Sequence, residues 1–213
     1  GGEISGARLG AVTGLNLTIT AAEVIGGILS GSLALLSDAL HNLGDSAAIV
    51  TSWIAHRIAA RPNNPEKTYG YKRAEVLAAF INALVLLALS IFLLGEAYRR
   101  FRSPEQIEST LMLAVATVGL LANVLSVFLL RRGSRENMNI RSSYLHLLSD
   151  SISSVGVILG GIAIRLWNVV WIDPLITVAI SLYIIRETWH IVKEAVDIPV
   201  SYTHLTLPTI YSV

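Results

Sequence analysis

The sequence contains no cysteine, which excludes disulfide staples and thiolate metal sites and leaves the redox state of its compartment undetermined. Charge is scarce too. Asp, Glu, Lys and Arg make up 15% of the 213 residues, where a soluble domain carries about 25%, so the side chains that keep a surface wet are in short supply. A net charge of +1 leaves no electrostatic footprint for nucleic acid. No G-x-x-x-x-G-K-[ST] string occurs, which argues against direct ATP drive from this chain. What fills the sequence is apolar: 53% hydrophobic residues and a mean hydropathy of +0.61, laid out in long blocks rather than in alternation. That pattern argues against a soluble globular domain, a disordered chain and a fibrous repeat. It is the composition of an integral membrane protein, and the length fits about six spans of ~20 residues with their loops.

Six apolar stretches can be traced, at Ala7–Leu29, Leu33–Ile58, Ala74–Ala97, Leu111–Leu130, Tyr144–Ile164 and Ile172–Ile191. They predict an all-α membrane protein of six transmembrane helices. The first stretch lacks a cleavage site and runs through the Gly31-Ser32 turn into the second, so it does not read as a signal peptide. Cations then set the direction. Arg8, Arg57, Arg61, Lys67, Lys72, Arg73, Arg131, Arg132, Arg135, Arg141, Arg186 and Lys193 fall on the side of the termini, against Arg99, Arg100, Arg102 and Arg165 on the other. The positive-inside rule therefore predicts both termini in the cytoplasm. Gly10-x-x-x-Gly14 and Gly156-x-x-x-Gly160 read as small-residue helix-packing positions.

Ionisable groups inside a membrane helix cost about 2.5–3.5 kcal/mol each on insertion scales and are functional candidates for that reason. The second stretch holds Asp38, His41 and Asp45, and the fifth holds His146 and Asp150. An imidazole and a carboxylate four residues apart lie on one helical face. The strings match, too: His41-Asn-Leu-Gly-Asp45-Ser46 and His146-Leu-Leu-Ser-Asp150-Ser151. If the two helices face each other, two imidazoles and two carboxylates converge. That four-ligand N/O set suits tetrahedral Zn²⁺ and tolerates Co²⁺ or Cd²⁺. The competing reading makes each pair a hydrogen-bonded packing contact, and two copies in separate spans weigh against it.

Asp38 and Glu23 are candidates for an accessory or proton-path role. For Asp38 the favoured reading is a meeting with the outer headgroup region near the Gly31-Ser32 turn; for Glu23 a polar partner on a neighbouring helix is the alternative. Asn16, Asn82 and Asn123 read as interhelical glue. His56 and His190 read as interfacial, and Glu96 with Tyr98, Arg99 and Arg100 as a membrane-edge anchor.

The run from Ser32 to Asp45, containing Ser37-Asp38-Ala-Leu-His41-Asn-Leu-Gly-Asp45, resembles the second-helix signature of the cation diffusion facilitator family. Thr68-Tyr-Gly-Tyr-Lys-Arg73-Ala-Glu75 is similar to the start of that family's third helix, His146-Leu-Leu-Ser-Asp150 to its fifth-helix ligand pair, and Asp173-Pro174 to the start of its sixth. The resemblance runs over about residues 7–198. It implies a six-helix domain, normally a homodimer, that exchanges cytoplasmic divalent metal for protons, with His41, Asp45, His146 and Asp150 as the transport site. The histidine of the second helix resembles the zinc-preferring branch. Some members hold a second metal in the loop after the second helix; here that loop offers only Glu66, so that site is expected to be absent. The loop Arg131–Asn137 lacks the histidines of eukaryotic relatives, which favours a prokaryotic exporter in the inner membrane. The start at Gly1-Gly2, without Met, leads us to expect a missing N-terminal segment. After residue 198 the resemblance ends; residues 199–213 are expected to be a tail foreign to the family, with no function for His204, and the family's soluble C-terminal metal-binding domain to be absent, which would weaken a homodimer.

The expected mechanism is alternating access around one intramembrane site. Metal requires deprotonated ligands, so Zn²⁺ and H⁺ compete for the same side chains, and an imidazole with an unperturbed pKa of about 6.5 titrates in the working range. Zinc is then the transported substrate, and no cofactor or covalent chemistry is called for. Two rivals remain at this stage. A membrane metalloenzyme could use the same ligands, although four protein ligands close a zinc site that catalysis keeps open, and the chain lacks the His-rich clusters of a di-iron desaturase. A structural membrane scaffold leaves the four ligands unexplained.

Overall fold

A computed structural model describes residues 2–59, 68–131 and 138–200, with side chains over 11–47, 77–128 and 147–193. Every element among them is helical: α1 Gly2–Ser30, α2 Leu33–Ala59, α3 Thr68–Arg102, α4 Ser109–Arg131, α5 Met138–Trp167 and α6 Ile172–Val200. Five of the six are long and apolar enough to cross a membrane, at Ala11–Ser30, Leu77–Arg102, Ser109–Phe128, Leu147–Trp167 and Ile172–Lys193. In α2 side chains are described only over 33–47, a stretch too short to judge as a span, and it carries Asp38, His41, Asn42 and Asp45.

The helices outrun the apolar stretches that predict them. α3 begins at Thr68 and ends at Arg102, well beyond the apolar run, because a helix once formed adds a backbone hydrogen bond with each further residue. Its last turn is held by charge: Glu96 Oε1 accepts from Arg99 Nη2 at 2.5 Å and lies 3.6 Å from Arg100 Nε, while Glu105 lies 3.3 Å from both guanidinium groups. Arg102 sits over the Tyr98 ring at 5.6 Å. The anchor read from Glu96, Tyr98, Arg99 and Arg100 is thus an ion-paired helix end.

The α1–α2 connection is a Schellman turn. Ser32 N donates to Gly27 O at 3.1 Å and Gly31 N to Ile28 O at 3.4 Å, and Gly31 adopts φ of 72°, a conformation that costs other residues a Cβ clash. The turn is braced by the neighbouring loop, where Glu108 N donates to Ser30 O at 2.9 Å and the Arg100 guanidinium donates to Gly31 O.

α4 packs along α5, α1 along α2 and α4, and α3 along α6, with α2 also touching α3, α5 and α6. Two apolar cores flank α2. Leu33 and Leu40 pack with Leu86, Leu93 and Ala97 of α3 and Ile184 of α6. Ala34 and Leu35 pack with Met112 and Ala116 of α4 and Val157 and Ile164 of α5. Large apolar side chains such as Ile81, Leu89 and Phe92 of α3 or Val118 and Leu121 of α4 are exposed, as on a surface that meets lipid tails. Of the small-residue pairs, Gly160 packs against Ile176, whereas a Cβ at Gly14 or Gly156 would meet nothing. The packing reading therefore holds at Gly160 alone of those three, and the surroundings of Gly10 lie outside the described residues.

Candidate metal site

The interior enclosed by α1, α2, α4 and α5 is polar. Asn16, Thr20 and Glu23 of α1, Ser37, Asp38, His41, Asn42 and Ser46 of α2, Asn123 and Ser126 of α4, and Asp150, Ser151 and Ser154 of α5 are all buried. Such groups are tolerated in a membrane bundle only where they face one another or a hydrated path.

His41 stands at the centre. The four-residue spacing along α2 brings its Nδ1 to 3.7 Å from Asp45 Oδ2, and the approach of α5 brings its Nε2 to 3.4 Å from Asp150 Oδ1. One ligand atom from each of the three residues falls within a 4.8 Å cluster. His41 can give one ion only one of its two nitrogens, so only one of these contacts can be an edge between ligands. Ligands on a tetrahedral zinc at about 2.0–2.1 Å stand about 3.3 Å apart, and the 4.8 Å cluster must contract around an ion of that size. Asp150 is fully buried, His41 is nearly so, and Asp45 retains 26% exposure, which leaves the cluster one partly open flank. The His41 ring meets Tyr183 of α6 edge-on, centroids 5.4 Å apart at 77°. Of the four ligands expected from the sequence, His41, Asp45 and Asp150 come together. The fourth, His146, belongs to α5 four residues before Asp150, and its side chain lies outside the described residues, as does that of His56.

Asp38 does not meet a headgroup region. It is 1% exposed and faces α5, where Ser153 Oγ donates to Oδ1 at 2.6 Å and Ser154 Oγ to Oδ2 at 3.0 Å. Nearness in sequence to the Gly31 turn suggested a shallow, outward position; the face of α2 on which it lies turns it inward instead. Glu23 does find a polar partner, accepting from Asn42 Nδ2 at 2.9 Å. Asn16 donates to Ser46 Oγ at 3.3 Å and Asn82 to Gly44 O at 3.3 Å, as interhelical glue does. Asn123 departs from that expectation, since neither amide atom has a hydrogen-bond partner among the described residues. The loop of Glu66 and residues 201–213, with His204, lie outside the described residues.

One residue at the far end of the bundle was visible in the sequence only as part of a resemblance. Asp173, on the first turn of α6, accepts from Ser32 Oγ at 2.6 Å, Leu33 N at 2.9 Å and Ala34 N at 3.2 Å. Ser32 Oγ in turn accepts from Leu35 N at 3.1 Å. The opening amides of α2 are thereby all satisfied, and their positive end meets a carboxylate from another helix. The signal available in the sequence was negative: the first turn of α2 contains no acidic residue.

Long apolar helices around a buried imidazole and two carboxylates define a polytopic membrane protein with an internal cation-type ligand set. The chain belongs to the cation efflux family, matching the cation efflux transmembrane domain over residues 10–198. It is 44% identical over 181 residues to the metal cation efflux system protein CzcD of Cupriavidus metallidurans, covering 85% of this chain and 57% of that protein. It is 43% identical over 176 residues to the zinc transporter ZitB of Escherichia coli, covering 82% and 56%. With the cadmium, cobalt and zinc/H(+)-K(+) antiporter of Bacillus subtilis the identity is 40% over 178 residues, covering 83% and 57%. The chain thus spans a little over half the length of these relatives. The family and these relatives are named for moving cations.

Proposed function

We propose that this chain is the membrane part of a secondary transporter that exports Zn²⁺, and by the same ligands Cd²⁺ or Co²⁺, from the cytoplasm in exchange for protons. The observation that carries the reading is the convergence of His41 and Asp45 of α2 with Asp150 of α5. His146 completes a two-imidazole, two-carboxylate set. Relatives named as zinc transporters and as a metal/H(+)-K(+) antiporter support both cargo and coupling. In this reading the site alternates between the two sides of a bacterial inner membrane. On the cytoplasmic side a metal ion displaces protons from the ligands; on the other side higher proton activity returns them and releases the metal. The cation bias among the loops supports six spans with both termini cytoplasmic. The functional unit in this reading is a homodimer.

The test is zinc uptake into proteoliposomes under an imposed pH gradient, comparing the unaltered chain with Asp45→Ala and Asp150→Ala. Gradient-driven flux that each substitution abolishes is expected. Zinc binding that survives both substitutions would refute the assignment of the site, and binding without flux in the unaltered chain would refute transport by this chain.

A further inference from the structure

The proton partner in this exchange has a second candidate seat, one helix away from the metal ligands. Glu23 of α1 is fully buried. Its Oε2 accepts from Asn42 Nδ2 at 2.9 Å, but its Oε1 and the Asn42 Oδ1 are both buried without a hydrogen-bond partner among the described residues. Two acceptor oxygens thus stand idle at the two ends of one pair. A deprotonated carboxylate can only accept, as can an amide oxygen, so neither idle atom can satisfy the other. Leaving both unmet is costly in a buried seam.

A single hydrogen resolves the deficit. A proton on Glu23 Oε1 turns that atom into a donor, and the carboxyl and the amide can then pair reciprocally, Asn42 N–H to Oε2 and Oε1–H to Asn42 Oδ1. The surroundings favour a proton over any larger cation. The backbone of Gly119 presses so closely that a Cβ there would strike Oε1 itself, and the Ile19 methyl lines the same spot, so no shell of ligands can assemble on that oxygen. Glu23 also stands outside the His41–Asp45–Asp150 cluster. No Lys or Arg occurs over 11–47 or 109–128, where the side chains of α1, α2 and α4 are described. Apart from Arg165, which donates to Thr110 at the other end of α5, the titratable groups with described side chains on the surrounding helices are Asp38, His41 and Asp45 on α2 and Asp150 on α5, with none on α4 in that stretch. Three of the four are carboxylic acids, so the neighbourhood offers Glu23 no fixed positive charge.

We infer that Glu23, paired with Asn42, carries an exchangeable proton at a site separate from the metal ligands, and that this proton leaves when the metal ion binds. The inference rests on the metal-binding reading above. Asn42 follows His41 directly in α2, so the segment that holds the metal also holds the partner of Glu23. The arriving dication supplies the positive charge that the site otherwise draws from the proton.

Infrared spectroscopy of the metal-free protein in lipid reads the proton without any reference to zinc. A protonated-carboxyl band is expected in the unaltered chain and is lost in Glu23→Gln. Added zinc should abolish the band, and in Glu23→Gln protons released per zinc bound should fall by about one while zinc affinity at fixed pH falls by about tenfold or more, since a proton that zinc expels is linked to zinc binding. A metal-free spectrum identical in the two proteins would overturn the proton seat, and so would unchanged proton release per zinc. A band that persists on zinc binding would overturn the coupling. Loss of zinc affinity in Glu23→Gln with proton release per zinc unchanged would instead make Glu23 part of the metal site. If Glu23→Gln does not fold, Asn42→Ser decides: it keeps the carboxyl and removes its amide partner, so the band must shift, and an unshifted band sinks the pairing. Should the unaltered chain bind no zinc, the metal-binding reading and the coupling fail together, and the metal-free band still decides the proton seat.

Discussion

Asp173→Ala removes a carboxylate that serves a helix other than its own. The substitution strands Leu33 N, Ala34 N and Ser32 Oγ, all on residues 3% exposed or less. The Ser32 hydroxyl can turn to another acceptor, but the two backbone amides are fixed by the helix and cannot. A buried donor left unmet costs about 1–3 kcal/mol, and a carboxylate at a helix N-terminus in a partly buried setting contributes up to about 2 kcal/mol. Relief of the carboxylate's own desolvation offsets part of this. The net loss expected is about 3–5 kcal/mol. Asp173→Asn keeps one acceptor oxygen and loses the charge, so it should fall about midway. Thermal unfolding in detergent, followed by tryptophan fluorescence, measures both, with Trp171 two residues from the substitution as a local reporter. If Asp173→Ala unfolds within about 1 kcal/mol of the unaltered chain, the cap across helices is not what secures the start of α2.

Other changes test the remaining structure. Gly160→Ala forces a methyl onto Ile176 and should destabilise by about 1–3 kcal/mol, whereas Gly156→Ala, with open space around it, should change the unfolding temperature little or raise it. Gly31→Ala places a Cβ on a backbone at φ of 72° and should cost about 1–2 kcal/mol in the same assay. Asp38→Ala frees the Ser153 and Ser154 hydroxyls one turn from the ligands; zinc affinity by calorimetry should fall about 10- to 100-fold, and an unchanged affinity would remove Asp38 from any supporting role.

What the sequence could reveal depended on distance along the chain. The helices were legible because apolar runs of ~20 residues have few other fates, and the His41–Asp45 pair was legible because helical geometry converts a spacing of four into a shared face. That α5 comes close enough to put Asp150 beside His41 was only suggested, by the repeated string. Helix ends were not legible: nothing in the apolar run of α3 says that the helix continues to Arg102. Asp38 was misplaced because distance from a turn measures depth along a helix and not which side faces inward. The bond from Asp173 to Leu33 spans 140 residues, beyond any local pattern. Asn123 was read as glue from its residue type, and residue type names what a side chain can bond to without saying what stands opposite it.

The two serine hydroxyls on Asp38 have a consequence for which ions this site can admit. They fasten α2 to α5 one turn from His41 and Asp150, so the gap between ligands on different helices is gauged by a joint that no ion touches. Widening that gap breaks both hydrogen bonds, at about 1.5–3 kcal/mol each. Calcium takes six to eight oxygens at about 2.3–2.6 Å and would have to open that joint, whereas on the reading proposed above a small tetrahedral ion draws the ligands together and leaves the joint closed. Selection by size would then be a property of the helix pair even when the site is empty, and would be lost by loosening two hydroxyls rather than by altering a ligand.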